Sequence, residues 1–257
     1  LVRLSHVQYQ STLQDLFGIA EDVAAALPPD ALNGFGFTTS NDLRVDSRLG
    51  PQYRQIAEEL AERAVSEEAI FDRIVTCDTN QATCSDTFIQ SFGERAFRRP
   101  LTSDELTAFK SLFAQGGELL ASGDDFRDGV QLTLEAMLQS PQLLYRAELS
   151  SQAGSDGRVA LNGWERASRL SYFLYDSMPD EDLFQRARAG QLETAQQVSD
   201  AVRRMLTQPR AVQKLVDFHE QVWQFGKFSR ISPDAAAFPE TPSNIITRVQ
   251  SASTRPI

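Results

Sequence analysis

Between Phe92 and Leu106 the chain reads FGERAFRRPLTSDEL, and few local folds satisfy that run. Pro100 fixes its own backbone and pushes Arg99 away from the helical region, so a helix carrying Phe92 and Phe97 has to end there. Thr102, with Glu105 three residues later, is a capping-box signature, so a second helix begins almost at once. The stretch is a corner between two helices. Phe92 and Phe97 are its apolar anchors, and Arg95, Arg98 and Arg99 are crowded between two apolar faces. Two uses of these arginines fit the pattern. They cap carbonyl ends or pair with carboxylates in a structural corner, or they clamp an anion or carboxylate ligand. Nucleic acid is a poor fit, because 35 acidic side chains outnumber 25 basic ones and the net charge is −10. Binding to a phosphate backbone needs clustered lysine and arginine. An acidic surface suits a basic partner instead.

Helix signals recur on both sides of the corner. Ser5 with Gln8 opens a helix to Phe17, and Gly18 closes it. Pro51 marks the first turn of a helix that runs to about Val65. Thr83 or Ser85 starts the helix that reaches Phe97. Leu106, Phe109, Leu112, Phe113 and Leu119 recur at helical spacing, which predicts a helix over Thr102 to Leu120, weakened late by Gly116 and Gly117. Asp124 or Asp125 begins another, which Pro141 breaks or kinks, with Pro141 to Arg146 continuing as a further turn. Asn162 with Glu165, the Met178–Glu181 restart, Thr194 to Leu206 and Pro209 to Phe225 predict four more. No alternating run of strand length and no regular repeat stands out. The expected class is all-α: short-to-medium helices in orthogonal and bundle-like packing, with one long irregular loop near the N-terminus. That loop, Glu21 to Ser47, is punctuated by Pro28, Pro29, Gly34 and Gly36. Phe35 and Phe37 are expected to plug a pocket in the helical body. Three helical modules are expected, 1–76, 77–150 and 151–257, with the polar run Gln152 to Gly157 as a boundary. Ser229 to Pro242 reads as a loop, and the last module reads as cut short.

The two cysteines, Cys77 and Cys84, enclose six residues. The spacing fits neither a CxxC redox motif nor a CxxCH haem attachment, and two thiols are too few for structural zinc. A disulfide is the first expectation. It is worth about 2.5 kcal/mol on the loop-entropy model and implies an oxidising compartment, periplasmic or extracellular. Two free thiols in a cytosolic protein are the alternative. No apolar run approaches the roughly 20 residues of a membrane span. Residues 1–10 are already amphipathic rather than signal-like, and a start at Leu1 implies a processed or trimmed chain.

Four separated motifs, in order, resemble a known family. RLSHVQYQSTLQDLFGI (Arg3 to Ile19) is similar to its amino-terminal module. CDTNQATCSDTFIQSFGERAFRRPLTSDEL (Cys77 to Leu106) is similar to the next. LEAMLQSPQLLYRAEL (Leu134 to Leu149) and ERASRLSYFLYDSMPDEDL (Glu165 to Leu183), with FHEQVWQFGKFSRISPDAAAFPE from Phe218, resemble the third. The family consists of adjoining domains of unknown function in secreted proteins of planctomycetes and myxobacteria. Gln8 and Ser11 depart from its usual acidic residue and asparagine, and its Gln-Trp-Leu is stretched to Gln221-Val222-Trp223. Members continue into a later module with a CxxCH that looks like a c-type haem site, and many carry a cytochrome-like domain. This chain has no such motif. The resemblance therefore implies haem c in a neighbouring segment or partner, with none bound covalently here.

Residue chemistry narrows the function little. His6 and His219 are the only histidines. Each is a packed or surface imidazole, or an axial ligand for a haem held by another segment. No metal site is expected. Asp176, Asp180, Glu181 and Asp182 cluster, and Asp180 to Asp182 suit a helix amino terminus; calcium is the alternative, although EF-hand spacing is absent. Tyr145-Arg146 and the run Trp164 to Tyr175 combine aromatics with arginines, and Arg166 or Arg169 is expected to stack on a ring. The leading expectation is a helical scaffold or docking portion of a secreted, cytochrome-c-associated protein, acting in electron transfer. Its partners would be other modules or chains of the same assembly, a c-type cytochrome among them. One alternative is part of a secreted enzyme completed by further modules, with the Pro28–Phe37 loop and the arginine corner lining its pocket. The other is a non-catalytic subunit of a surface assembly.

Overall fold

The computed structural model describes residues 1–32, 37–38, 42–150, 157–224, 234 and 236–237. The expectations for Phe35, for most of the 152–157 boundary and for most of the 229–242 loop lie outside the described residues. Among the described residues the chain is all-α. The first helices are α1 (His6–Phe17), α2 (Leu49–Ser66), α3 (Glu68–Ile74), α4 (Cys84–Phe97), α5 (Ser103–Ala114) and α6 (Gly116–Leu119). They are followed by α7 (Asp125–Gln139), α8 (Pro141–Leu144), α9 (Gly163–Leu174), α10 (Glu181–Arg188), α11 (Ala195–Leu206) and α12 (Pro209–Trp223). A two-residue antiparallel pair, β1 (Val2–Arg3) with β2 (Tyr145–Arg146), sets Val2 opposite Arg146 and Arg3 opposite Tyr145. Such short strands carry no alternation for a sequence to display.

The capping boxes form at α1 (Ser5, Gln8), α5 (Thr102, Glu105), α9 (Asn162, Glu165) and α11 (Thr194, Gln197). Each satisfies backbone donors that the helix start would otherwise leave unpaired. Two features differ from expectation. The helix expected over Thr102–Leu120 breaks at Gln115 and restarts as α6. The glycines there serve a close approach: a Cβ on Gly116 would lie 2.3 Å from the backbone nitrogen of Gly129 on α7. Helix α3 is an addition to the expected set. Glu67, extended at ψ 107°, separates it from α2, and Ile70, Phe71 and Ile74 form its buried face.

Helix α7 is the axis of the larger core. Val130, Leu134, Met137 and Leu138 are fully buried, and α7 packs along α2, α4, α5 and α6. Phe17, Phe88 and Phe92 join from α1 and α4 at ring distances of 5.7 and 5.9 Å. Each such side chain contributes about 1.5–3 kcal/mol by leaving water. This core draws residues from Leu4 to Phe184, so the three expected modules share it. A smaller core of α9, α10, α11 and α12 is centred on Ala167, Leu183, Leu192, Ala201 and Met205.

Candidate functional site

Cys77 and Cys84 form a disulfide with a Cα–Cα distance of 5.5 Å. Cys84 is the first residue of α4 and is buried, so the bridge fixes the start of the helix that delivers the arginines.

The structure does not bring Arg95, Arg98 and Arg99 to one point. Arg98 is the C-cap of α4 at φ +57°, a backbone state that costs a non-glycine residue about 1–2 kcal/mol. Its side chain is 3% exposed. Nη2 donates to the carbonyls of Gln142 (2.5 Å), Tyr145 (2.9 Å) and Leu143 (3.2 Å), and Nη1 donates to Leu143 O and Tyr172 Oη, both at 3.2 Å. It therefore caps α8 and the start of β2 with a buried charge. Arg99 forks onto Glu105 at 2.8 and 2.7 Å, and this holds the Glu105 carboxyl below its ordinary pKa. Arg95 turns to the C-terminal end of α1. It and Arg73 both donate to the carbonyl of Asp15, at 3.1 and 3.0 Å. Burial, together with the nearby Arg73 charge, lowers the Arg95 pKa. A helix C-terminus with no basic residue of its own thus receives two from elsewhere. A groove of about 340 Å³ runs beside the Pro100 corner, lined by Arg98, Arg99, Trp164 and Glu165. Both of its arginines are committed to protein acceptors.

The histidines occupy different surroundings. His6 opens α1 beside Asp30: its backbone N–H donates to Asp30 Oδ2 at 2.5 Å, and its Nε2 is 3.4 Å from Oδ1 without the geometry of a hydrogen bond. Arg3 pairs with the same carboxylate and donates to Tyr53 Oη at 2.6 Å. Burial lowers the His6 pKa; Asp30 opposes that shift and Arg3 adds to it. His219 is exposed on α12, its Nδ1 2.6 Å from Leu215 O and its ring 5.2 Å from that of Trp223. Among the described residues no group of three or more His, Cys, Asp or Glu is placed to hold a metal. Asp180 caps α10 through Leu183 N at 3.0 Å and takes both Arg204 nitrogens.

A concavity that sequence pointed to only through Phe37, expected to plug a pocket in the helical body, lies between α9 and α12, over the start of α1. It encloses about 660 Å³ and is lined by Leu170, Phe173, Leu215 and Phe218, the ring of Tyr172, and Phe37 stacked on Phe218 at 5.7 Å. Phe173 is 72% exposed. At its inner end Asp176 sits at φ +51°, held by Gln8 Nε2 at 3.1 Å and by an ion pair with Lys214. Thr12 and Tyr172 hydroxyls meet at 2.8 Å beneath it. The expected stacking falls to other arginines. Arg98 and Arg146 lie 5.6 and 5.7 Å from the Tyr172 ring centre, while Arg166 and Arg169 pair with Glu193 and Glu148. The signal that could have found this site is the amphipathicity of α12, whose only buried residue is Ala211.

Three family comparisons cover most of the chain. Residues 3–66 are similar to a protein of unknown function (DUF1587), residues 84–148 to another (DUF1595), and residues 161–255 to a third (DUF1592). The chain thus carries three adjacent domains of unknown function. No curated protein and no solved structure matches it.

Proposed function

We propose that these three adjoining domains form a helical docking unit, and that the outward stripe of α12 is its docking face. Val212, Val216, His219 and Trp223 fall at helical spacing on one side of α12 and are all exposed, Val212 at 54% and Trp223 at 59%. That stripe is the observation that carries the reading: a strongly amphipathic helix turns apolar side chains outward, as interaction surfaces do. The occupant is another module or chain of the same assembly, and a basic c-type cytochrome fits both the family resemblance and the net charge of −10. The disulfide supports a place outside the reducing cytosol. The test is an absorption spectrum of the complete natural protein in its assembly. A Soret band that co-purifies with this chain, and is released by Val216→Glu, is expected. Absence of that band in the complete assembly would remove the redox context.

A further inference from the structure

The cleft between α9 and α12 carries a charge arrangement that packing alone does not explain. Arg146, Arg169 and Lys214 line it against one lining carboxylate, Asp176, in a chain whose net charge is −10. Lys214 is committed to Asp176, and Arg169 forks onto Glu148 at 3.0 and 2.8 Å. Arg146 is not committed. Among the described residues its side chain makes no hydrogen bond or ion pair, and its Nε is buried without a partner. It shares the Tyr172 ring with a second guanidinium, that of Arg98. Burial lowers its pKa; Tyr172 and the Glu148 charge oppose that shift, and the charges of Arg169 and Arg98 add to it. A guanidinium has five donors and no acceptor, and donors left unmade away from water are costly. An arriving carboxylate would satisfy the fork in a two-point, charge-assisted contact.

We propose that this cleft binds a small amphipathic carboxylate, with its apolar body on Phe173, Leu215 and Phe218 and its carboxylate on Arg146. The volume of about 660 Å³ is that of a small-molecule site, and so is the pattern of apolar walls with a few convergent polar groups. Of the α12 residues used here, Lys214 and Phe218 lie well round the helix from the Val212–Val216–His219–Trp223 stripe, whereas Leu215 borders it and the Phe218 ring lies 5.5 Å from that of His219. The two sites adjoin, and their tests separate them: Val216→Glu bears on the docking face, Arg146→Gln on the ligand site.

The test is calorimetric titration of the 257-residue chain at pH 8 with dodecanoate, dodecanol and dodecyltrimethylammonium, each below its aggregation threshold. One dodecanoate per chain is expected, at least tenfold tighter than dodecanol, with the cation weaker than both. Arg146→Gln is expected to reduce dodecanoate to the affinity of dodecanol and to leave dodecanol unchanged. Equal affinity for acid and alcohol, binding of several dodecanoates without preference, or no binding of either would overturn the proposal. The comparison of the three compounds on the unmodified chain decides the question even where the variant fails to fold.

Discussion

Replacing Arg98 by methionine keeps most of the side-chain volume and removes the fork. The structure gives that fork four protein acceptors: the carbonyls of Gln142, Leu143 and Tyr145 and the phenol oxygen of Tyr172. A buried acceptor left without a donor costs about 1–3 kcal/mol. The phenol keeps its contact with Thr12, and the Gln142 and Tyr145 carbonyls are only partly buried, so water can serve them. One acceptor, Leu143 O, therefore bears most of the loss. Against that, methionine removes a charge that has no carboxylate partner and whose burial is itself unfavourable. The net expectation is a loss of about 2 kcal/mol, a sizeable part of the 5–15 kcal/mol that typically holds a domain together. Arg99→Met is the internal control. Its pair with Glu105 is about one-fifth exposed on each side, and breaking it is expected to cost under about 1 kcal/mol. Urea unfolding followed by circular dichroism measures both. If Arg98→Met costs less than about 1 kcal/mol, or no more than Arg99→Met, the claim that Arg98 ties α4 to α8 and β2 is wrong.

Other expectations concern the bridge, the glycine contact and the His6 pocket. Intact-mass measurement after alkylation of unreduced, unfolded protein should find no free thiol, and Cys84→Ser should lower stability by about 2.5 kcal/mol. Gly116→Ala pushes a methyl into the backbone of Asp128 and Gly129 and should cost about 3 kcal/mol. Gly50→Ala, which meets nothing within 4 Å, should be neutral or gain up to about 1 kcal/mol; equal effects at the two sites would contradict the close approach of α6 to α7. His6 has a lowered pKa when folded, so below pH of about 6.5 the unfolded chain binds the extra proton. The stabilising effect is present above that pH and is lost as pH falls. His6→Asn should flatten this slope in urea midpoints measured between pH 7.5 and 5.5, and an unchanged slope would remove His6 as its source.

What was legible in the sequence is what short-range chemistry determines. Ser5 with Gln8, Thr102 with Glu105 and Asn162 with Glu165 announce helix starts because donor and acceptor lie three residues apart. The cysteine pair was readable for the same reason. The destination of Arg98 was not, because three of its four acceptors are backbone carbonyls, which every residue carries. Arg95, Arg98 and Arg99 looked like one cluster because they are neighbours in sequence, but the end of α4 sends them three ways. The cleft was hidden by distance. It joins Gln8 to Asp176, 168 residues apart, and Arg146, the cation in it that is uncommitted among the described residues, is on a strand too short to announce itself. The close approach of α6 to α7 was visible only as two glycines that weaken a helix; that they mark contact rather than weakness needed the partner helix.

Hydrogen exchange on α12 tests the docking account most directly. Amide protection across Pro209–Trp223 is compared between the isolated chain and the complete natural assembly. The account predicts that protection rises at least tenfold along the face of Val212, Val216 and His219, while α2 and α7, already in the core, stay unchanged. Equal protection of α12 in both samples would contradict it.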